Sequence, residues 1–221
     1  LLMVDAVSSL ACTAFLHDDW GVDVTVSASQ KGLMLPPGLS FNAVSEQAMA
    51  RSRMNQSLHS YWQWEAMASN NTKGYFPYTP STNLLYGLDE ALNLLLAEGL
   101  DKVFARHSRL AAAARAAVNA WGLENVCMNS EEYCNSTTAV FAPEGFDADD
   151  LRTIIRERFN MSLGTGLGKL KNRIFRIGHI GDFNDLMLMG TLSGVEMGLK
   201  IADFPHQSGG VESAMDVLSK N

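Results

Sequence analysis

Short apolar runs, loops and helical patterns alternate along the first 98 residues. Leu1 to Val4 form an apolar run typical of a buried parallel strand, and the alternating valines of residues 22–26 predict a second strand. Ser45 predicts the cap of a helix that runs to about residue 54. Thr79-Pro80 predicts another helix start, with threonine as cap and proline at the first helical position. The leucines that follow at helical spacing are Leu84, Leu85, Leu88, Leu92 and Leu95.

After an interruption at Gly99, the second half of the chain alternates helices and strands. A helix ending at Gly122 carries one apolar stripe: Val103, Leu110, Ala114, Ala117 and Trp121. The pattern next predicts strands at 137–142 and 173–177, a helix capped by Asp147, a flexible glycine-rich loop at 164–168 and a helix over 183–202. We therefore predict an α/β chain with a first domain (1–98), a small α+β domain (99–206) and a tail (207–221).

The composition excludes a disordered tether and argues against two classes of partner. Of 221 residues, 47% are hydrophobic and 19% are charged, which is sufficient for a folded core. The net charge of −7 argues against a general nucleic-acid or anionic-membrane surface. Three cysteines (Cys12, Cys127, Cys134) and five scattered histidines lack disulfide or metal-ligand spacing, so we predict no metal site and a reducing compartment, the cytoplasm.

Two residues at predicted strand ends carry the candidate chemistry. Asp5 follows the first apolar run and Lys31 follows the second strand, and ligands of open α/β sheets bind at such carboxyl ends. Taken singly, Asp5 is a turn or cap residue and Lys31 is a solvated loop lysine. Together they suit pyridoxal phosphate, because a lysine can bind its aldehyde and a carboxylate can keep its ring nitrogen protonated.

Four motifs then occur in order: Val4 to Ser9, Ser27 to Lys31 with Pro36-Pro37-Gly38, Tyr78 to Ser81, and Phe175 to Gly181. With these motifs the sequence resembles the class V aminotransferases of fold type I, in particular their serine–glyoxylate and alanine–glyoxylate branch, from Leu1 to about Ala202. The resemblance implies the C-terminal part of a large mixed-sheet domain plus a small α+β domain. It also implies an N-terminally truncated chain, since the family's glycine-rich phosphate-binding turn and ring-stacking aromatic have no counterpart here.

The same resemblance implies roles for individual residues. Lys31 would be the catalytic lysine that binds the cofactor, and Asp5 the partner of the pyridine nitrogen. Gln30 would lie beside the cofactor phosphate and Ser9 near the ring. Thr79 would reach the phosphate of the neighbouring subunit's cofactor, so the expected active site belongs to a homodimer.

Arg176 would bind the substrate α-carboxylate, a role that suits the planar guanidinium fork; the alternative is a strand arginine in a surface ion pair. The function implied is transfer of an amino group from serine, alanine or aspartate to glyoxylate, giving glycine and a 2-oxo acid. Two alternatives stay open: another class V pyridoxal phosphate enzyme, such as a cysteine desulfurase-like lyase, and an incomplete, non-catalytic fragment. Ser219-Lys220-Asn221 is a near miss for a peroxisomal Ser-Lys-Leu terminus.

Overall fold

A computed structural model describes residues 1–55, 57 and 59–220, which separate into two units. The first unit comprises residues 1–10 and 14–98. The second comprises residues 11–13 and the chain from Gly99 onward. Asn221, the last residue of the predicted tail, lies outside the described residues.

In the first unit, a small mixed sheet is followed by helices. β1 (Met3–Asp5) pairs in parallel with β2 (Val24–Ala28), and β2 pairs antiparallel with β3 (Ser40–Val44). The helices are α1 (Glu46–Arg53), α2 (Trp64–Asn71) and α3 (Thr82–Glu98), and a 3₁₀ turn covers Ser60–Trp62. Ser45 caps α1 as predicted, because its hydroxyl accepts a 3.1 Å hydrogen bond from the Ala48 backbone N–H.

Three features of this unit correct the sequence prediction. The predicted buried strand is exposed: Leu1, Leu2 and Met3 keep 69%, 51% and 65% of their surface, since β1 is an edge strand with β2 on one side only. The helix predicted from Thr79-Pro80 begins at Thr82, where the first backbone N–H groups bond to the Ser81 carbonyl. The helix α2 was not predicted from the sequence.

The second unit packs helices on an antiparallel sheet. Its strands are β4 (Thr137–Phe141), β5 (Gly164–Thr165) and β6 (Ile174–Gly178), in the order β4-β6-β5. Its helices are α4 (Leu100–Ala120), α5 (Ala148–Phe159), α6 (Asp185–Ile201) and α7 (Gly210–Leu218), with 3₁₀ turns at Ser130–Glu132 and Gly168–Leu170.

The core of the second unit confirms most of the predicted pattern. All five residues of the predicted stripe on α4 are buried, and the Asp147 side chain caps α5 by accepting a 2.7 Å hydrogen bond from the Asp149 backbone N–H. One prediction is wrong. Gly164–Thr165 is a strand rather than part of a flexible loop, because it pairs with β6. Within residues 207–220, α7 packs on α4 and α6 in the second unit. No helix in residues 1–55, 57 and 59–220 is both long and apolar enough to cross a membrane.

Candidate functional site

Asp5 lies at the carboxyl end of β1, where it pairs with Val26 of the parallel neighbour β2. Its carboxylate is solvent-exposed, and Oδ1 accepts a 2.8 Å hydrogen bond from the Val7 backbone N–H. Within the described part of the chain, Oδ2 has no hydrogen-bond donor. Asp5 is therefore both a turn residue and an available acceptor at the end of a parallel strand.

Lys31 lies in a loop of residues 29–39, here called the lysine loop, which joins β2 to β3. Ser29 closes this loop through both its backbone and its side chain. Its hydroxyl donates to the Pro36 carbonyl at 2.8 Å and accepts from the Leu39 backbone N–H at 3.2 Å, while its backbone N–H donates to the Leu39 carbonyl at 3.1 Å. Ser29 is fully buried, and its two hydroxyl bonds are partly buried. Lys31 therefore lies in a loop whose two ends, Ser29 and Leu39, are joined by hydrogen bonds.

The Lys31 side chain is half-buried, yet its ammonium forms no hydrogen bond or ion pair with any described residue. Lys31 follows β2 and Asp5 ends its parallel neighbour β1, so an uncommitted lysine and an uncommitted carboxylate oxygen come at the carboxyl ends of adjacent parallel strands. This combination of groups fits pyridoxal phosphate. Lys31 would hold the aldehyde and Asp5 the ring nitrogen, because one supplies a nucleophilic amine and the other an anionic acceptor.

The other residues predicted for the cofactor lie around this pair or apart from it. Ser9 is half-buried in the turn after Asp5, where its backbone N–H donates to the Ala6 carbonyl at 3.3 Å. Gln30 is exposed and directly precedes Lys31. Thr79 is exposed in the irregular segment before α3, so the structure does not bring it into the turn that holds Asp5.

Arg176 belongs to the second unit, at the centre of β6 between Ala139 of β4 and Gly164 of β5. It is half-buried, and its Nε donates to the Thr165 carbonyl at 2.9 Å. Among the described residues no acceptor bonds to the two terminal nitrogens, and no carboxylate forms a salt bridge with the side chain. The surface ion pair considered as an alternative is therefore absent from the described part of the chain, and the outer fork of the guanidinium is open to an anion.

His179, one of the five scattered histidines, directly follows this strand. It is fully buried, and its Nδ1 donates to the Asn135 carbonyl at 3.0 Å, so Nε2 accepts from the Thr138 hydroxyl at 2.9 Å. Burial lowers its pKa to about 4, which keeps the ring neutral. The neutral imidazole therefore links the end of β6 to β4 through Thr138, and to the loop before β4 through Asn135.

Sequence reasoning missed Ser29 and the residues that support Arg176, and the only signal for Ser29 was a small polar residue next to the lysine. Asp149 is one of these supporting residues: a hydrogen bond from Arg152 holds the pKa of its carboxyl below the usual range. Within the described ranges, no group of three or more histidine, cysteine, aspartate or glutamate side chains is arranged to hold a metal ion.

The sequence model of the family described as Aminotransferase class-V matches residues 1–170. A serine–glyoxylate aminotransferase of Arabidopsis thaliana is 44% identical over 220 residues, and an L-aspartate–glyoxylate aminotransferase of Paracoccus denitrificans is 41% identical over 217 residues. These alignments cover 99% and 98% of this chain but 55% of each relative. The chain therefore spans about half the length of the curated relatives it matches.

Solved structures show the same likeness. A ureidoglycine–glyoxylate aminotransferase from Bacillus subtilis superimposes with a TM-score of 0.91 at 26% identity, over 100% of this chain and 58% of that one. A pyridoxamine–pyruvate aminotransferase from Mesorhizobium loti gives a TM-score of 0.86 at 33% identity, over 98% of this chain and 57% of that one. The predicted fold, the C-terminal part of a fold-type I aminotransferase, is confirmed.

Proposed function

Because the chain belongs to the class V aminotransferase family, we propose that it acts as a pyridoxal phosphate-dependent transaminase that moves an amino group from a small amino acid to glyoxylate. The observation that carries the proposal is the pair formed by Asp5 and Lys31. Asp5 ends β1 and Lys31 follows the parallel neighbour β2, and each has a polar atom without a partner among the described residues. Such a pair binds a ring with an aldehyde on one side and a basic nitrogen on the other.

When bound, pyridoxal phosphate supplies an electron-withdrawing ring that stabilises negative charge on the substrate carbon. The chain's residues then have distinct tasks. Nζ of Lys31 would hold the cofactor aldehyde and would serve as the base for the Cα proton of the amino acid. The Asp5 carboxylate would keep a proton on the ring nitrogen, and Ser9 and Gln30 would contact the ring and the phosphate. Arg176 holds the carboxylate that the amino acid and the 2-oxo acid share.

The choice of glyoxylate as acceptor rests on the relatives. Glyoxylate appears in the names of the Arabidopsis, Paracoccus and Bacillus proteins, whereas the amino donors named are serine, aspartate and ureidoglycine. We propose serine, alanine or aspartate as donor here. Glycine formation measured with each of these three donors and glyoxylate would rank them. Sulfide release from cysteine in the same assay would instead indicate a desulfurase.

The decisive test of the proposal identifies the lysine that binds pyridoxal phosphate covalently, and it does not require turnover. The full chain is mixed with pyridoxal phosphate, reduced with borohydride and digested, and the peptide carrying the cofactor is identified by mass spectrometry. We expect modification of Lys31, and loss of both the label and the visible absorbance of lysine-bound cofactor in Lys31→Ala. Lys73→Ala, which removes an exposed loop lysine, is the matched control and should label normally. Equal labelling of many lysines would contradict the proposal and favour the non-catalytic alternative.

We also propose that the active site is shared in a homodimer through Thr79. The proposal is supported by the solvent exposure of Thr79 and of the aromatic side chains that precede it in sequence. These exposed aromatic residues include Tyr75, Phe76 and Tyr78. Lys31→Ala and Thr79→Ala chains, each inactive alone, should regain activity when mixed, because one site of each mixed dimer keeps both residues. Random mixing predicts about a quarter of wild-type activity. No recovery despite subunit exchange would exclude a shared site.

We propose a cytoplasmic location, because the cysteine thiols are free rather than paired in disulfides. Cys12, Cys127 and Cys134 are all free, and Cys134 is exposed. Burial raises the pKa of the Cys12 thiol to about 12, so this thiol stays protonated, whereas an exposed thiol persists best in a reducing environment. Cell fractionation with an antibody against the chain tests the assignment.

A further inference from the structure

The guanidinium of Arg176 is fixed on one side and open on the other. Its Nε–H is used by the Thr165 carbonyl at 2.9 Å, whereas the terminal nitrogens have no acceptor among the described residues. A carboxylate can bind an arginine through Nε and one terminal nitrogen, or end-on through both terminal nitrogens. Because Nε is occupied, the end-on approach remains, and the direction of the fork is set by β5.

β5 consists of Gly164 and Thr165 alone, which is too short to hold its own position. Two side chains of α5 form hydrogen bonds that hold it in place. Asp149 accepts a 3.0 Å hydrogen bond from the Thr165 hydroxyl, and Arg152 donates from Nε to the Leu163 carbonyl at 2.9 Å. Asp149 and Arg152 also form a salt bridge with each other, so the strand is held at both ends by one ion pair.

Gly164 gives the arginine the room that this arrangement needs. A Cβ atom at position 164 would lie 3.0 Å from Cβ and 3.1 Å from Nε of Arg176. The arginine side chain therefore lies directly across the glycine. A shift of β5 would move the Thr165 carbonyl and the surface that supports the guanidinium together.

We propose that Asp149 and Arg152 are positioning residues that set the affinity for the substrate carboxylate by fixing, through β5, the direction of the Arg176 fork. The inference rests on the proposed role of Arg176 and extends it to two residues that do not touch substrate. A purely structural role would lower the stability of the second unit without a selective effect on carboxylate binding. The two roles therefore predict different measurements.

The test compares Asp149→Asn with Asp150→Asn in the full chain with pyridoxal phosphate. Asp150 is the next residue of α5, is exposed and serves as the matched control. We expect Asp149→Asn to raise KM for both the amino donor and glyoxylate about tenfold, with kcat changed less than about twofold, because one hydrogen bond to a charged group is lost. Asp150→Asn should leave KM unchanged. Thr165→Val should raise KM as Asp149→Asn does. Thr165→Ser, which keeps the hydroxyl, should leave KM at the wild-type value.

A second measurement follows the solvent exchange of the Arg176 Nε–H and does not depend on turnover. In protein labelled with nitrogen-15 arginine, the Nε–H signal that disappears in Arg176→Lys belongs to Arg176, and its exchange with solvent should quicken in Asp149→Asn but not in Asp150→Asn. Unchanged exchange or an unchanged KM in Asp149→Asn, with the fold intact by thermal melting, would overturn the positioning role. An unchanged KM in Arg176→Lys would instead refute the carboxylate role of Arg176, whatever the exchange rates show.

Discussion

The indole nitrogen of Trp121 donates a 2.9 Å hydrogen bond to Oε2 of Glu196, and both side chains lie within the second unit. The same carboxylate accepts from the backbone N–H groups of Gly209 and Val211 at 3.4 and 3.1 Å, at the start of α7. The Glu196 side chain is only 12% exposed. One carboxylate thus binds α7 to the core of the second unit.

Glu196→Gln should lower the free energy of unfolding by about 2 kcal/mol, because a hydrogen bond to a buried charge is lost and an amide N–H₂ then faces backbone donors. Urea denaturation at neutral pH measures the change. Glu212→Gln alters an exposed carboxylate of α7 and should stay within about 0.5 kcal/mol of wild type. Equal effects of the two substitutions would mean that the hydrogen bonds of Glu196 add nothing to stability.

Burial tends to raise the pKa of Glu196, but the hydrogen bonds from Trp121 and the α7 backbone outweigh it and hold that pKa below its usual value of 4.5. A carboxyl with a depressed folded-state pKa contributes stability that is present above its unfolded pKa and is lost as pH falls through the folded value. The stability difference between wild type and Glu196→Gln should therefore shrink on acidification below pH 4.5. A difference that stays constant with pH would contradict this origin.

Gly190 and Gly198 lie on the same helix, α6, in opposite surroundings. A Cβ at Gly198 would lie 2.4 Å from Cγ1 of the buried Ile155, whereas a Cβ at Gly190 meets no atom within 4 Å. Gly198→Ala should destabilise the protein by about 1–3 kcal/mol through overpacking. Gly190→Ala should stabilise it by about 0.5–1 kcal/mol, because alanine loses less backbone entropy in a helix. Thermal melting of both variants checks the pair, and a stabilised Gly198→Ala would show that α5 moves aside easily.

Features that depend on neighbouring residues could be predicted from the sequence. The Ser45 and Asp147 caps and the apolar stripe of α4 each depend on residues within a few turns of one another. The strand β5 could not be predicted, because Gly164–Thr165 has no periodicity and gains its structure from β6 and α5. The helix α7 likewise depends on Glu196, which precedes it by a full helix turn and a loop.

The candidate site divides in the same way. Asp5, Lys31 and Arg176 are recognisable because each belongs to a sequence motif. Their supports are hydrogen bonds between positions far apart in sequence, such as Asp149 to Thr165 and Ser29 to Leu39, and no local pattern records them. Sequence reasoning therefore finds the groups that we propose to bind cofactor and substrate, and it misses the hydrogen bonds that hold the surrounding loop and strand in place.

The buried, neutral imidazole of His179 should make the stability of the second unit sensitive to acid. Its pKa falls from 6.5 to about 4, chiefly because of burial, so the unfolded chain binds a proton that the folded chain does not. Stability from this group is complete above pH 6.5 and is lost as pH falls towards 4. The loss amounts to at most about 3 kcal/mol.

This dependence can be isolated by comparing wild type with His179→Gln across that pH range. The amide of glutamine does not titrate, so the difference in unfolding free energy should fall with pH. His59→Gln, which replaces a histidine of the first unit, is the control for the substitution itself. A His179→Gln curve that runs parallel to wild type would exclude His179 as the source.

Ser29→Ala should loosen the lysine loop and weaken cofactor binding. The substitution leaves the Pro36 carbonyl without its 2.8 Å donor and the Leu39 N–H without its 3.2 Å acceptor, both at a buried serine. Two unpaired backbone groups cost about 2 kcal/mol of stability. Because the same loop presents Lys31, we expect the fraction of chain that borohydride fixes to pyridoxal phosphate at limiting cofactor to fall about tenfold.

Ser40→Ala separates this effect from a general loss of hydroxyl groups. Ser40 is an exposed residue at the start of β3, just beyond the lysine loop, and its alanine variant should bind the cofactor as wild type does. Ser29→Ala that is destabilised yet labels normally would show that Lys31 is positioned by its cofactor rather than by the loop. Ser29→Ala that labels poorly while Ser40→Ala labels fully would mean that the fastened loop holds the lysine ready before the cofactor arrives, which lowers the entropy that binding must overcome.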